Sequence, residues 1–91
     1  MTLISFDPAK RERTLRQRGL DFADAGQVID GAVWEFVDDR TDYSETRMTT
    51  VGFLVDRMVV IVWTLRGEQH HIISMRKANA RERTRYAKHL D

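Results

Sequence analysis

Residues 58–65, Met-Val-Val-Ile-Val-Trp-Thr-Leu, are apolar except for one threonine. Such a run has no polar side to offer water, so it must be covered on both faces. Eight residues rich in β-formers suit a strand better than a helix, which predicts a central strand in a sheet with packing on either side. The uninterrupted part, residues 58–63, is far too short to span a bilayer as a helix. The rest of the chain therefore has to supply two covering layers and flanking strands.

Local signals supply them. Asp7 suits an N-cap and Pro8 the first helical position, so a helix is expected from Pro8 to about Arg18, closed by Gly19. A second short helix is expected over residues 21–29, with Phe22, Ala25, Val28 and Ile29 on one face, before Asp30-Gly31 breaks the chain. Residues 32–37, 47–55 and 70–75 have strand character. Asp56-Arg57 and Arg66-Gly67-Glu68 are short enough for hairpin turns. Ala80, Tyr86, Ala87 and Leu90 support a closing helix from Lys77 to about His89. The expected order is two N-terminal helices, a four-stranded, mostly antiparallel sheet and a C-terminal helix, an α+β fold.

At 91 residues the chain is expected to form one domain. A domain of this size buries only about 60–65% of the surface that its unfolded chain exposes. A partner or oligomer would steady it. There is no cysteine, so neither disulfides nor thiolate metal sites brace it. Residues 1–7 lack the basic and apolar regions of a signal peptide, and a cytoplasmic location is expected.

The net charge of +1 hides an uneven distribution. Residues 8–18 carry Lys10, Arg11, Arg13, Arg16 and Arg18 against Glu12. Residues 76–89 carry Arg76, Lys77, Arg81, Arg83, Arg85 and Lys88 against Glu82. Residues 20–56 are acidic, with only Arg40 and Arg47 opposing. Arginine outnumbers lysine by 12 to 3, and its planar fork of donors is suited to phosphate. The basic termini are either solvated helix faces or surfaces for an anionic partner.

Hairpin register suggests where chemistry could gather. A two-residue Asp56-Arg57 turn places Val55 opposite Met58, Arg47 opposite Arg66 and Thr49 opposite Thr64. Pairing of Arg66 with Gln69 then places Thr64 opposite His71. Arg47, Arg66, Thr64 and His71 would share one face at one end of the sheet, and a one-residue shift would exchange His71 for His70. Two facing arginines repel unless an anion sits between them. The alternatives are that they splay into solvent or pair with Asp42 or Glu45. Adjacent His70 and His71 point to opposite faces and cannot chelate one metal, so no metal site is expected. A histidine near arginines has a lowered proton affinity, which suits a base near neutral pH. Arg76 precedes a helix N-terminus, where free N–H groups favour anions, or it pairs with a nearby acid. Trp34 and Trp63 read as core rather than base-stacking platforms. Gly-rich phosphate loops, dinucleotide fingerprints, zinc spacings and nucleophile elbows are absent, and Ser44 and Ser74 lack the neighbours of a nucleophilic serine.

Four blocks of sequence carry a family resemblance. Phe6-Asp7-Pro8-Ala9-Lys10 resembles an aromatic-Asp-x-x-Lys helix start, and Arg18-Gly19-Leu20-Asp21-Phe22 a Lys-His-Gly-Val-x-Phe segment. Glu45-Thr46-Arg47 followed by Gly52 resembles a Glu-x-Arg strand. Ile72-Ile73-Ser74-Met75-Arg76-Lys77-Ala78, with Glu82-Arg83 and Tyr86 after it, resembles an Ile-Ile-Ser-Ala-Arg-Lys-Ala signature. This ordered set resembles the BrnT family of toxins. Thr14, Arg18 and His71 stand where that family usually has Asn, His and Arg.

The resemblance implies a RelE-like fold and an endoribonuclease of a type II toxin–antitoxin system. It implies a ribbon-helix-helix antitoxin as partner in a hetero-oligomer, with operator DNA bound only through that antitoxin. It also implies cleavage without metal or cofactor, by attack of the RNA 2′-OH on its adjacent phosphate. For that reaction Arg47, Arg66 and Arg76 are candidates to neutralise the phosphorane, with His71 as acid or base. Lys10, Thr64 and Lys77 are candidates to hold RNA. The competing readings are a non-catalytic nucleic-acid-binding module and an interaction protein whose basic helices serve only an acidic antitoxin segment.

Overall fold

The computed structural model describes residues 1–38 and 45–90. The element order is β1 (Ile4–Phe6), α1 (Pro8–Arg18), a 3-10 turn (Phe22–Asp24) running into α2 (Ala25–Ile29), β2 (Trp34–Asp38), β3 (Arg47–Leu54), β4 (Arg57–Arg66), β5 (Gln69–Lys77) and α3 (Ala80–Leu90). The sheet order is β1-β5-β4-β3-β2. β4 is therefore central, as its apolar run requires. Val59 and Ile61 are fully buried on one face, and Met58 and Val60 nearly so on the other.

Those two faces hold separate cores. Leu20, Phe22, Ala25 and Val28 pack with Val59, Ile61, Trp63, Ile72 and Met75 on the α1–α2 side. Tyr86 and Ala78 pack with Val51, Met58 and Val60, flanked by Trp34, Phe36 and Leu90, on the α3 side. Trp63 is a buried core residue, as expected, and Trp34 packs partly buried against the α3-side core. Trp63 donates to Thr50 at 2.7 Å, and Trp34 stacks on His89 with centroids 3.9 Å apart.

The α1 boundaries follow the capping signals. The Asp7 carboxylate accepts from the Ala9 N–H, and Gly19 closes the helix in the left-handed region at φ 69°. The expectation of a four-stranded, mostly antiparallel sheet needs correction. Among the described residues there are five strands rather than four; three of the four pairings are antiparallel as expected, and β1 runs parallel to β5. Ile4-Ser5-Phe6 is too short to show a period. It becomes a strand because the β5 edge offers partners, with the His70 N–H bonded to the Leu3 carbonyl at 2.8 Å.

The first hairpin also differs from expectation. Leu54 pairs with Arg57 and Phe53 with Met58, so the turn is Val55-Asp56 and not Asp56-Arg57. The register is shifted by two residues. A shift of two leaves every side chain on its original face, so apolar alternation cannot choose between the two registers. Val55 occupies the turn with φ 62°, an uncommon conformation for a β-branched residue. The second hairpin is as expected, with Arg66 paired to Gln69 and Thr64 to His71.

β5 contains a bulge. Val62 pairs with Ser74 but Trp63 with Ile72, leaving Ile73 as the extra residue. An extra residue inverts the alternation of faces beyond it. Ile72 and Met75 can thus both enter the α1–α2 core, and His71, Ser74 and Arg76 share the opposite face.

Close approach of α2 to β3 depends on Gly52. A Cβ there would lie 2.8 Å from Val28 Cγ1 and 3.0 Å from Val33 Cγ1. Both neighbours are stiff at χ1. Gly52→Ala should therefore destabilise the protein by about 1–3 kcal/mol, read as a lower midpoint in chemical denaturation.

Candidate active site on the α3 face of the sheet

Strand pairing lays polar side chains across the α3 face in rows. Asp38 pairs with Arg47. Continuing the β3–β4 ladder beyond Met48–Trp63 brings Arg47 level with Thr64, and Thr64 pairs with His71. His71 pairs in turn with Ser5 of β1. This row crosses all five strands. The next row outward holds Arg66 and Gln69. The row inward, toward α3, holds Phe36, Thr49, Val62 and Ser74.

The two-residue shift overturns the direct Arg47–Arg66 pairing expected from sequence. The two arginines keep the same face but stand two positions apart along the ladder. Arg66 instead approaches Glu45, Nη2 to Oε1 3.4 Å, in a largely exposed contact. A pair of this kind contributes about 0–1 kcal/mol. Glu45 was one of the two acids considered as partners; the other, Asp42, lies outside the described residues, as does Ser44. Thr64 is 2% exposed and its hydroxyl donates to the Thr46 carbonyl at 2.7 Å. It spaces the row and fixes the start of β3.

His71 is half-buried, with Nδ1 2.9 Å from the Ser5 hydroxyl. Burial pushes its pKa below the usual 6.5, and the positive charge of Arg66 lowers it further, with a smaller effect from Lys10. The imidazole is thereby kept neutral at physiological pH. His70 points the other way and packs against Trp63 at 4.1 Å, so the two histidines are separated by the sheet. Among the described residues no three carboxylate or imidazole groups gather as metal ligands.

Arg76 lies on the same face because of the bulge, and it is fixed from α3. Its two terminal nitrogens bond both oxygens of Glu82, at 2.7 and 2.8 Å. The Glu82 carboxylate also accepts the Asn79 N–H at 3.0 Å, and the Glu82 N–H donates to Asn79 Oδ1 at 2.8 Å. This reciprocal capping box starts α3 at Ala80, later than the expected Lys77. It also engages donors of the helix end that were expected to be open to an anion. Arg76 is thus paired with an acid, the plainer of its two expected roles. Its bidentate bond, helped by the Asn79 N–H, pulls the Glu82 pKa from 4.5 to about 2.

Arg76 and Glu82 form one wall of a groove of about 330 Å³ between α3 and the sheet, with Phe36, Asp38, Ser74 and Tyr86 among its other lining residues. Lys10 reaches the site from α1, its Nζ donating 2.7 Å to the carbonyl of the bulge residue Ile73. Lys77 pairs with Val59 and so lies on the opposite face, apart from the other candidates. Asp38, Ser5, Ser74 and Glu82 are polar residues of this face that sequence reasoning missed. For Glu82 a signal existed, the Asn79-x-x-Glu82 capping spacing. For Ser5 and Ser74 the placement depends on β1 and on the bulge.

The face therefore combines a guanidinium fixed by Glu82, two further arginines, a neutral imidazole and a groove of about 330 Å³, an arrangement suited to holding a phosphodiester while moving a proton. Comparison with protein-family models gives a match to the ribonuclease toxin BrnT of type II toxin–antitoxin systems over residues 6–82. A search of curated proteins gives no match.

The Arg76–Glu82 pair makes stability depend on acid pH. Glu82 has a folded-state pKa near 2, below its ordinary 4.5. The stability that it contributes is fully present above about 4.5 and is lost as pH falls toward 2. Glu82→Gln should melt below wild type at neutral pH, with the difference narrowing across that acid window. Thermal midpoints measured from pH 7 downward test this; a gap that stays constant would mean that Glu82 does not titrate as an ion-paired group.

Proposed function

Because the chain belongs to the BrnT family of ribonuclease toxins of type II toxin–antitoxin systems, we propose that its α3 face is the RNA-cleaving site, acting without metal or cofactor. The observation that carries this reading is the bulge-dependent gathering of His71, Ser74 and Arg76 with Arg47 on one face of the sheet.

The reaction needs a nucleophile brought into line, charge neutralised on the phosphorane and a proton given to the leaving oxygen. His71 is the general base. In the productive tautomer its Nδ1–H donates to the Ser5 hydroxyl, so the Nε2 lone pair takes the proton of the RNA 2′-OH. The oxygen attacks the adjacent phosphorus and the P–O5′ bond breaks; the leaving O5′ takes a proton from water, giving a 2′,3′-cyclic phosphate and a 5′-hydroxyl. Arg76, oriented by Glu82, and Arg47 offset the charge that develops on the phosphoryl oxygens. Arg66 assists by electrostatics and by keeping His71 neutral. Lys10, already anchored at Ile73, holds a neighbouring phosphate.

The type II classification gives the toxin an antitoxin partner. We take that antitoxin to be a ribbon-helix-helix protein that forms a hetero-oligomer with the toxin and represses the shared operon. RNA as substrate places the action in the cytoplasm. Among the described residues no helix is long and apolar enough to cross a membrane.

Purified protein incubated with RNA and a chelator should yield fragments with cyclic-phosphate and 5′-hydroxyl ends. Arg76→Ala should slow cleavage about 10²–10³-fold. The rate should rise with pH through an acid limb below 6.5, as His71 loses its proton. Arg66→Gln should move that limb upward, toward 6.5, because a positive neighbour is removed. RNA bound but never cut would identify a non-catalytic binding module instead. An unshifted limb in Arg66→Gln would remove His71 from the base role.

A further inference from the structure

β1 covers the outer edge of β5 only from His70 to Ile72. Beyond that point no strand among the described residues pairs with this edge, and α1 closes it with two cations. Lys10 Nζ bonds the Ile73 carbonyl at 2.7 Å and Arg18 Nη1 bonds the Met75 carbonyl at 2.9 Å. These bonds hold α1 alongside β5 and create a second groove, of about 280 Å³, lined by Lys10, Arg13, Thr14, Gln17, Arg18 and Ser74. Lys10, Arg13, Thr14 and Gln17 follow the i, i+3, i+4, i+7 spacing of one helix face. At 1.5 Å per residue the stripe is about 10 Å long.

Two properties separate this groove from the one under α3. Among the described residues its lining includes no carboxylate, and every lining side chain from α1 carries a hydrogen-bond donor. The α3 groove, by contrast, is lined by Asp38 and Glu82 as well as Arg76 and Arg85. The two grooves meet at Ser74, which lines both. A donor wall without acids suits a continuous run of phosphates, and it leads directly to the face assigned to chemistry.

We infer that the α1 groove is a track for the RNA backbone flanking the scissile phosphate, with Arg13, Thr14, Gln17 and Arg18 as its phosphate contacts. This rests on the ribonuclease reading above. Each phosphate contact made by a cation releases counterions, so its loss is read in the salt dependence of binding.

Arg13 is exposed in mid-helix, so Arg13→Gln should fold and melt like wild type. Its affinity for single-stranded polyuridylate should fall, and the slope of log affinity against log salt should become shallower by about 0.7. The KM for a long RNA should rise severalfold, well beyond any change for a dinucleoside monophosphate, which has no flanking phosphate. Equal salt slopes for variant and wild type would overturn the track even if RNA is cleaved normally. Wild type that binds polyuridylate with the Arg13-dependent slope but cuts nothing would fail the ribonuclease reading and leave the track standing. If wild type ignores polyuridylate and instead binds a polyglutamate peptide through Arg13, the groove serves an acidic protein segment and the inference is wrong.

Discussion

One extra residue in β5 sets the relation between core and site. Ile73 interrupts the β4–β5 ladder, so the residues before and after it exchange faces. Ile72 and Met75 are three apart yet both fully or nearly fully buried in the same core. In a regular strand one of them would face α3, and a polar partner would have to enter the α1–α2 core. The same inversion brings His71 into line with Ser74 and Arg76. The carbonyl of the bulged residue is bonded by Lys10, so a local irregularity of the sheet also anchors a cation from α1.

The second constraint is how the basic surface is held. Several of its cations have specific partners. Arg11 makes a bidentate contact with Asp21, at 2.7 and 2.9 Å, which ties α1 to the turn before α2. Arg76 is held by Glu82, and Lys10 and Arg18 bond main-chain carbonyls of β5. Fixed guanidinium groups cost little to reorganise when charge appears on a substrate, which is the condition for electrostatic catalysis to be effective. The exposed Arg66–Glu45 contact belongs to another class. At 3.4 Å in solvent it adds little to stability, and the influence of Arg66 on the His71 proton matters more.

The α+β class, the central place of residues 58–65, the limits of α1 and the second hairpin were all legible in the sequence. Each is a local signal: an apolar run, an Asp-Pro start, a Gly stop, a short turn at Gly67. The shared face of Arg47, Thr64, Arg66 and His71 was legible too, because a register error of two preserves faces. The Arg47–Arg66 contact was not. It depended on which two residues make the turn, and Val55, a poor residue for positive φ, conceals the answer.

Sequence by itself determined which stretches must be buried and where charge accumulates, since hydrophobicity, capping and charge belong to the residues themselves. Tertiary structure alone decided that Ile4–Phe6 is a strand, because three residues gain order only from the β5 edge they join. It likewise decided the bulge at Ile73, where the demand of one core for both Ile72 and Met75 outweighs a regular ladder. The site follows from that decision. His71 and Arg76 are five positions apart, and in an unbroken strand their side chains would have pointed to opposite sides of the sheet.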